Sequence, residues 1–136
     1  MSVHSLWVNL PTSDLVRSTA FFRAIGFDFD PKFTDAKAAC MVVNEHIRVM
    51  LLTQQFFSGF TPKPVADFQQ STSAIMSLSV DDRAKVDEMM QKALAAGGIE
   101  HSPAKDFGFM YQRGFFDMDG HAWEVFHLNV DEFPKP

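Results

Sequence analysis

Phe115-Phe116-Asp117-Met118-Asp119-Gly120-His121-Ala122-Trp123-Glu124-Val125-Phe126 is the stretch on which the fold of this chain turns. Two aromatic runs flank an acidic segment ending in Gly, the pattern of a β-hairpin. Alternation along the second run puts His121, Trp123, Val125 and His127 on one face and Ala122, Glu124 and Phe126 on the other. Glu124 is then a lone carboxylate among apolar neighbours. Burying an isolated ionised carboxylate is costly, so this one must be paired, neutralised by desolvation, or matched by a cation or ligand. A two-residue turn at Met118-Asp119 would set Arg113 directly opposite Glu124, whereas a three-residue turn with a Gly bulge shifts that pairing.

Upstream of the hairpin strands, Phe109 to Phe116 and His121 to Leu128, lies a strand from Ala74 to Val80. Asp81 and Asp82 then start a helix on which Val86, Met89, Met90, Ala93 and Leu94 follow helical spacing, and Gly97-Gly98 closes it. A short segment near Ile99 follows. The first half has the same order. Leu6 to Leu10 is a strand ended by Pro11; Thr12, Ser13 and Asp14 offer caps to a helix with Leu15, Ser18, Phe22 and Ile25 on one side; Gly26 stops it. Phe27 to Phe33 alternates as a strand, and Ala38 to Val43 with His46 to Thr53 forms a hairpin around Asn44-Glu45. A shift of 68 residues carries Leu10 to Leu78, Asp14 to Asp82, Phe21 to Met89 and Phe22 to Met90, a weak internal repeat. Module one therefore spans about 4–53 and module two about 73–128. Between them, 54–72 holds Phe56, Phe57, Phe60 and Phe68, an apolar loop expected to act as a lid or partner surface.

With 136 residues, 46% of them apolar and fifteen Phe, the chain is expected to build one domain. The single cysteine, Cys40, forms no internal disulfide, and the absence of a leader or a long apolar run gives the expectation of a cytoplasmic protein without membrane insertion. A net charge of −5 without a Lys/Arg cluster argues against nucleic acid as partner. A small organic molecule or a protein fits better.

Asn9-Leu10-Pro11-Thr12-Ser13-Asp14-Leu15, Phe21-Phe22, Ile25-Gly26-Phe27, and Asp117-Met118-Asp119-Gly120 running into Trp123-Glu124-Val125 resemble the vicinal oxygen chelate superfamily, the glyoxalase, bleomycin-resistance and extradiol-dioxygenase group. The resemblance implies an α+β fold of two βαβββ modules curled into a cup-shaped, partly open barrel, and commonly a homodimer. In metal-dependent members each of four cup strands supplies one ligand to a divalent ion. The corresponding positions here are Trp7, Leu51, Ile75 and Glu124, of which only Glu124 has a ligand-type side chain. By strand parity His4, His46, His121 and His127 do not join these positions, and His101 falls outside the assigned strands.

The expected site is therefore a cup lined by Trp7, Asn9, Leu51, Ile75 and Arg113, with Glu124 as the catalytic or anchoring carboxylate and Phe56 in the covering loop; no metal ligand set and no cofactor are expected. Trp7 and Asn9 point to one face of their strand, an indole wall and an amide suited to orienting a ligand; the alternatives are core packing for Trp7 and a backbone bond for Asn9. Cys40 is expected to be a buried apolar thiol facing the cup. The function expected is binding of a small, partly apolar molecule, by sequestration or a metal-independent reaction. A divalent-metal lyase or dioxygenase is the alternative, and a non-catalytic interaction module with a closed cup is a third.

Overall fold

The computed structural model of the chain describes residues 1–135. They form two compact units, 1–67 and from Phe68 onward. In the first unit, β1 (Leu6–Thr12) leads into α1 (Leu15–Ile25), followed by β2 (Asp28–Phe29), β3 (Ala38–Asn44), β4 (Ile47–Thr53) and a short helix α2 (Gln54–Ser58). The sheet order is β1-β4-β3-β2, with β1 parallel to β4 and the other pairs antiparallel. The second unit runs β5 (Ile75–Ser79), α3 (Arg83–Ala95), β6 (Ile99–Glu100), β7 (Lys105–Asp106), β8 (Met110–Phe116) and β9 (Ala122–Leu128). Its order is β5-β9-β8-β6, with β7 also on β8 and β5 parallel to β9. The mixed α+β fold of two βαβββ modules is the one expected from the sequence.

The repeat is visible in its chemistry. Asp14 caps α1 by accepting a hydrogen bond from the Arg17 amide, and Asp82 caps α3 by accepting from the Lys85 amide, both with extended backbone. Phe22 and Met90, which the same shift relates, are fully buried at equivalent points of the two helices. Each helix lays its apolar stripe on its own sheet: Ser18, Phe21, Phe22 and Ile25 in the first unit, Val86, Met90 and Ala93 in the second.

Two expectations are corrected. Phe27 to Phe33 is not one strand: only Asp28–Phe29 pairs with β3, and Pro31–Phe33 turns into a 3-10 helix. Pro31 has no N–H to give a ladder, and Asp30 caps the turn by accepting from the Lys32 amide at 3.0 Å. The aromatic segment 54–72 is not one lid either. Its start is helical, because the Thr53 hydroxyl accepts from the Phe56 amide, and Phe56 and Phe60 pack edge to face. Phe68 instead belongs to the second unit, where its ring lies 4.4 Å from that of His121 and Gln69 donates to the Met118 carbonyl. Among the described residues, no helix is long and apolar enough to cross a membrane.

Candidate functional site

The turn between β8 and β9 sets the geometry. Asp117 Oδ1 accepts from the amides of Asp119 and His121, its Oδ2 accepts from the Trp123 indole N–H, and Gly120 takes a left-handed φ of 88°. This is the three-residue loop with a terminal Gly, and it fixes Phe116 opposite Ala122 and Gly114 opposite Glu124. Arg113 is consequently one step out of register with Glu124 and faces Val125. A one-residue shift moves a side chain to the opposite face of the sheet, so the expected Arg113–Glu124 pair does not form.

Arg113 sits instead on the face covered by α3. It binds Glu100 through two N–H···O contacts of 2.9 and 3.1 Å and Asp87 at 3.0 Å, and Asp87 also accepts from the Tyr111 hydroxyl at 2.7 Å. Arg83 lies over the Tyr111 ring and pairs with Asp106. The Tyr111 hydroxyl and then the Arg113 guanidinium hold the Asp87 carboxyl below its usual range. Glu100 raises the Arg113 pKa further, so the guanidinium is a permanent structural cation. The α3 face of the second sheet carries a linked set of ion pairs, several of them open to solvent, beside the buried apolar Trp123, Val125 and Phe115.

The opposite face of that sheet is different. Ile75 and Ser77 on β5 pair with Ala122 and Glu124 on β9, so all four share this face with Gly114 and Phe116. The Ser77 hydroxyl donates to Glu124 Oε2 at 3.1 Å, and Glu124 forms no ion pair among the described residues. On the other flank, Gly114 has no side chain and its place is taken by His101. A Cβ at Gly114 would stand 2.2 Å from His101 Nε2 and 2.8 Å from the Trp123 carbonyl. His101 Nε2 lies 3.1 Å from that carbonyl, which can only accept, so Nε2 carries a hydrogen; Nδ1 lies 3.1 Å from the Ser102 hydroxyl oxygen. The imidazole also lies against Phe116 at 5.0 Å. A carboxylate and an imidazole thus flank one glycine. The sequence carried a signal for this: a glycine inside an otherwise aromatic strand marks the close approach of another group.

In the first unit, Trp7, Asn9 and Pro11 align with Arg48, Met50 and Leu52 of β4 and with Cys40 of β3 on one face. Leu51 pairs with Leu10 and Ala39 and is 1% exposed, so it faces the opposite way from Trp7 and Asn9 and cannot line a site with them. Trp7 is 41% exposed rather than packed in the core. Its ring stands under the Arg48 guanidinium at 5.3 Å and edge-on to Phe33, and its N–H donates to the Ser5 hydroxyl. Arg48 in turn binds Asp30 at 3.0 Å, which holds the Asp30 carboxyl below its usual range. Arg48 Nη1 also lies 3.6 Å from Cys40 Sγ, so the thiol is buried beside a cation that its sequence neighbours did not reveal. Asn9 is exposed on the same face. Phe56 does not join this group; its neighbours are Phe60 and Lys37.

Three of the four residues at the positions that the resemblance gives to metal ligands do not fit a divalent ion. Trp7 offers an N–H without a lone pair, Ile75 and Leu51 offer hydrocarbon, and Leu51 faces away from the others in its sheet. Among the described residues, no three His, Cys, Asp or Glu side chains converge on a point suited to a metal. The chemistry available around Glu124 is hydrogen-bond acceptance and proton exchange. Gly114→Ala tests the arrangement: the added methyl must displace the imidazole and press on the Trp123 carbonyl. The variant is expected to lose about 2–3 kcal/mol of stability in chemical denaturation, and the His101 ring resonances should shift in NMR spectra.

Residues 4–44 match a family described as bleomycin resistance protein-like N-terminal. No curated protein sequence gives a match. Among solved structures, a hypothetical protein, SA1046, from S. aureus superposes with a TM-score of 0.79 at 24% identity, over 93% of this chain and 95% of that one. A glyoxalase-related enzyme from Fulvimarina pelagi gives 0.77 at 22% identity, over 91% of this chain and 87% of that one. A fosfomycin resistance protein, FosX, from Listeria monocytogenes gives 0.71 at 18% identity, over 97% and 98%. Likeness at these identities is a likeness of fold. With its duplicated βαβββ modules, the chain has the fold of the vicinal oxygen chelate superfamily, and its first module carries the bleomycin resistance-like N-terminal pattern.

Proposed function

We propose that this protein binds a small, partly apolar organic molecule without a protein-bound metal, and that Glu124 is the group that recognises it. The observation that carries this reading is the state of Glu124: a half-buried carboxylate steadied by the Ser77 hydroxyl, with no ion pair among the described residues and with the His101 imidazole across Gly114. Such a group is ready to accept a hydrogen bond or a proton from a ligand donor. Ile75 and Phe116 supply apolar surface on the same face. On the first unit, Trp7 and Asn9 offer an exposed indole and amide of the kind that orients a small molecule. Sequestration needs no more than this; a metal-independent reaction would use Glu124 as base.

Glu124→Gln keeps the shape and the Ser77 contact but removes the charge. We expect it to shift the melting temperature by no more than about 2 °C, while abolishing the thermal stabilisation that wild-type protein gains from any hit in a screen of small organic molecules that includes bleomycin and fosfomycin. Freshly purified wild type should carry less than about one tenth of an equivalent of Zn, Ni, Mn or Fe. Near-stoichiometric metal that disappears in Glu124→Gln would overturn the proposal in favour of a metal-dependent lyase or dioxygenase.

The same proposal includes a homodimer in the cytoplasm. β1 and β5 each end their sheet, and Leu6 and Ile75 on them are 60% and 53% exposed. Apolar strand edges of this kind call for cover, which a second copy can supply. Sedimentation at tens of micromolar should give about twice the mass of the chain; a monomer would remove the idea.

A further inference from the structure

We propose a second ligand site in the first unit, a groove that takes a small aromatic monocarboxylate. The groove is open to solvent, offers about 460 Å³ and is lined by Lys37, Thr53, Gln55, Phe56, Gly59 and Phe60. That volume is in the range of pockets that hold compact organic ligands. Its walls are built by local structure. The Thr53 amide donates to the Lys37 carbonyl at 3.0 Å, joining the entry of β3 to the exit of β4. The Thr53 hydroxyl then starts α2 by capping the Phe56 amide, and the turn at Gly59 brings Phe60 back against Phe56 with ring centroids 5.1 Å apart and nearly perpendicular.

The charge of the groove is what names its ligand. Lys37 Nζ stands 5.0 Å from the centre of the Phe56 ring and forms no ion pair among the described residues. The nearest acid in sequence, Asp35, spends one carboxylate oxygen on the Lys37 and Ala38 amides. A cation held over an aromatic ring and left without a carboxylate is a site for one negative charge. One ammonium on a chain of net charge −5 does not suit a polyanion, so a monocarboxylate fits better than a phosphate ester. Phe60 is 63% exposed and gives an aromatic body a surface to cover, and the Gln55 amide at the rim can hold a second polar atom.

This groove is separate from Trp7 and Arg48. Trp7 aligns with Arg48 near the start of β4, whereas Thr53 ends that strand five residues on, roughly 16 Å away at strand rise. It is also independent of the reading of Glu124, which lies in the second unit.

The test is titration of the whole protein with 3-phenylpropionate, followed by amide NMR. Saturable shifts confined to the amides around Gln55, Phe56, Gly59 and Phe60 are expected. The neutral amide analogue and the Lys37→Met variant should each bind at least about tenfold more weakly, and Glu124→Gln should bind as wild type does. Lys37 is exposed, so its replacement leaves the core intact; Phe60→Ala, which removes the aromatic wall alone, should also weaken binding. Equal affinity for acid and amide, an unchanged Lys37→Met variant, shifts centred on another part of the chain, or no saturation up to about 10 mM would each overturn the proposal.

Discussion

Asp117→Ala is expected to cost about 3–5 kcal/mol in chemical denaturation, one of the two largest effects of any single substitution considered in this chain. Asp117 is 7% exposed, and its two oxygens receive three N–H groups at 3.0 Å: the amides of Asp119 and His121 and the indole of Trp123. Ala removes all three acceptor contacts at once, two of them deep in the fold, and neither His121 nor Trp123 is open to water that could substitute. The loss reaches the functional face, because these bonds hold the loop that sets Gly114 opposite Glu124.

The same carboxyl gives a pH signature. Burial raises the Asp117 pKa above its ordinary 3.8, while the nearby His121 and the three donors oppose the rise. A raised pKa in an acid means that the folded state holds the proton more tightly than the unfolded chain. The contribution of Asp117 is therefore most favourable below about pH 3.8 and declines as pH climbs through the folded-state pKa, above which it is constant. Asp117→Asn should flatten that decline. It should still be less stable than wild type near neutrality, because the amide nitrogen cannot accept from the Trp123 indole.

The fold was legible because it is written twice. Asp14 and Asp82 cap equivalent helices, Phe22 and Met90 fill equivalent core positions, and the strand order around them repeats. Strand parity on β9 was legible too, since alternation alone separates Glu124 from Trp123 and Val125. What was not legible depended on register and on non-local packing. Whether Arg113 meets Glu124 turns on a single residue in the 117–121 loop, and only the Asp117 bonds and the left-handed Gly120 decide it. Analogy of position puts Leu51 beside Trp7, but the parallel register of β1 and β4 aligns it with Leu10. His101 and Arg48 joined the picture through contacts with residues 13 or more positions away, His101 with Gly114 and Trp123 and Arg48 with Asp30 and Trp7. No periodicity in a single sequence carries such information.

Gly120→Ala is expected to destabilise the protein by about 3 kcal/mol or more, and its comparison with Gly26→Ala separates two causes. Both glycines have left-handed φ, 88° and 123°, so a side chain is strained at either position. At Gly26 nothing stands within 4 Å of the new Cβ, and the cost should stay near 1–2 kcal/mol from backbone strain. At Gly120 the Cβ would lie 2.5 Å from the Phe68 carbonyl oxygen, 2.9 Å from its carbon and 3.1 Å from the Gln69 nitrogen. Those are backbone atoms, so the segment carrying Phe68 must move away from the hairpin, taking the Phe68–His121 ring contact and the Gln69–Met118 bond with it. The 117–121 loop would then lose the support that these two contacts give it. Gly120→Ala should accordingly increase amide exchange at Phe68 and Gln69 as well as through the 117–121 loop, whereas Gly26→Ala should leave exchange in both segments unchanged. Equal costs for the two substitutions would show that Phe68 yields freely and does not brace the loop that orients Glu124.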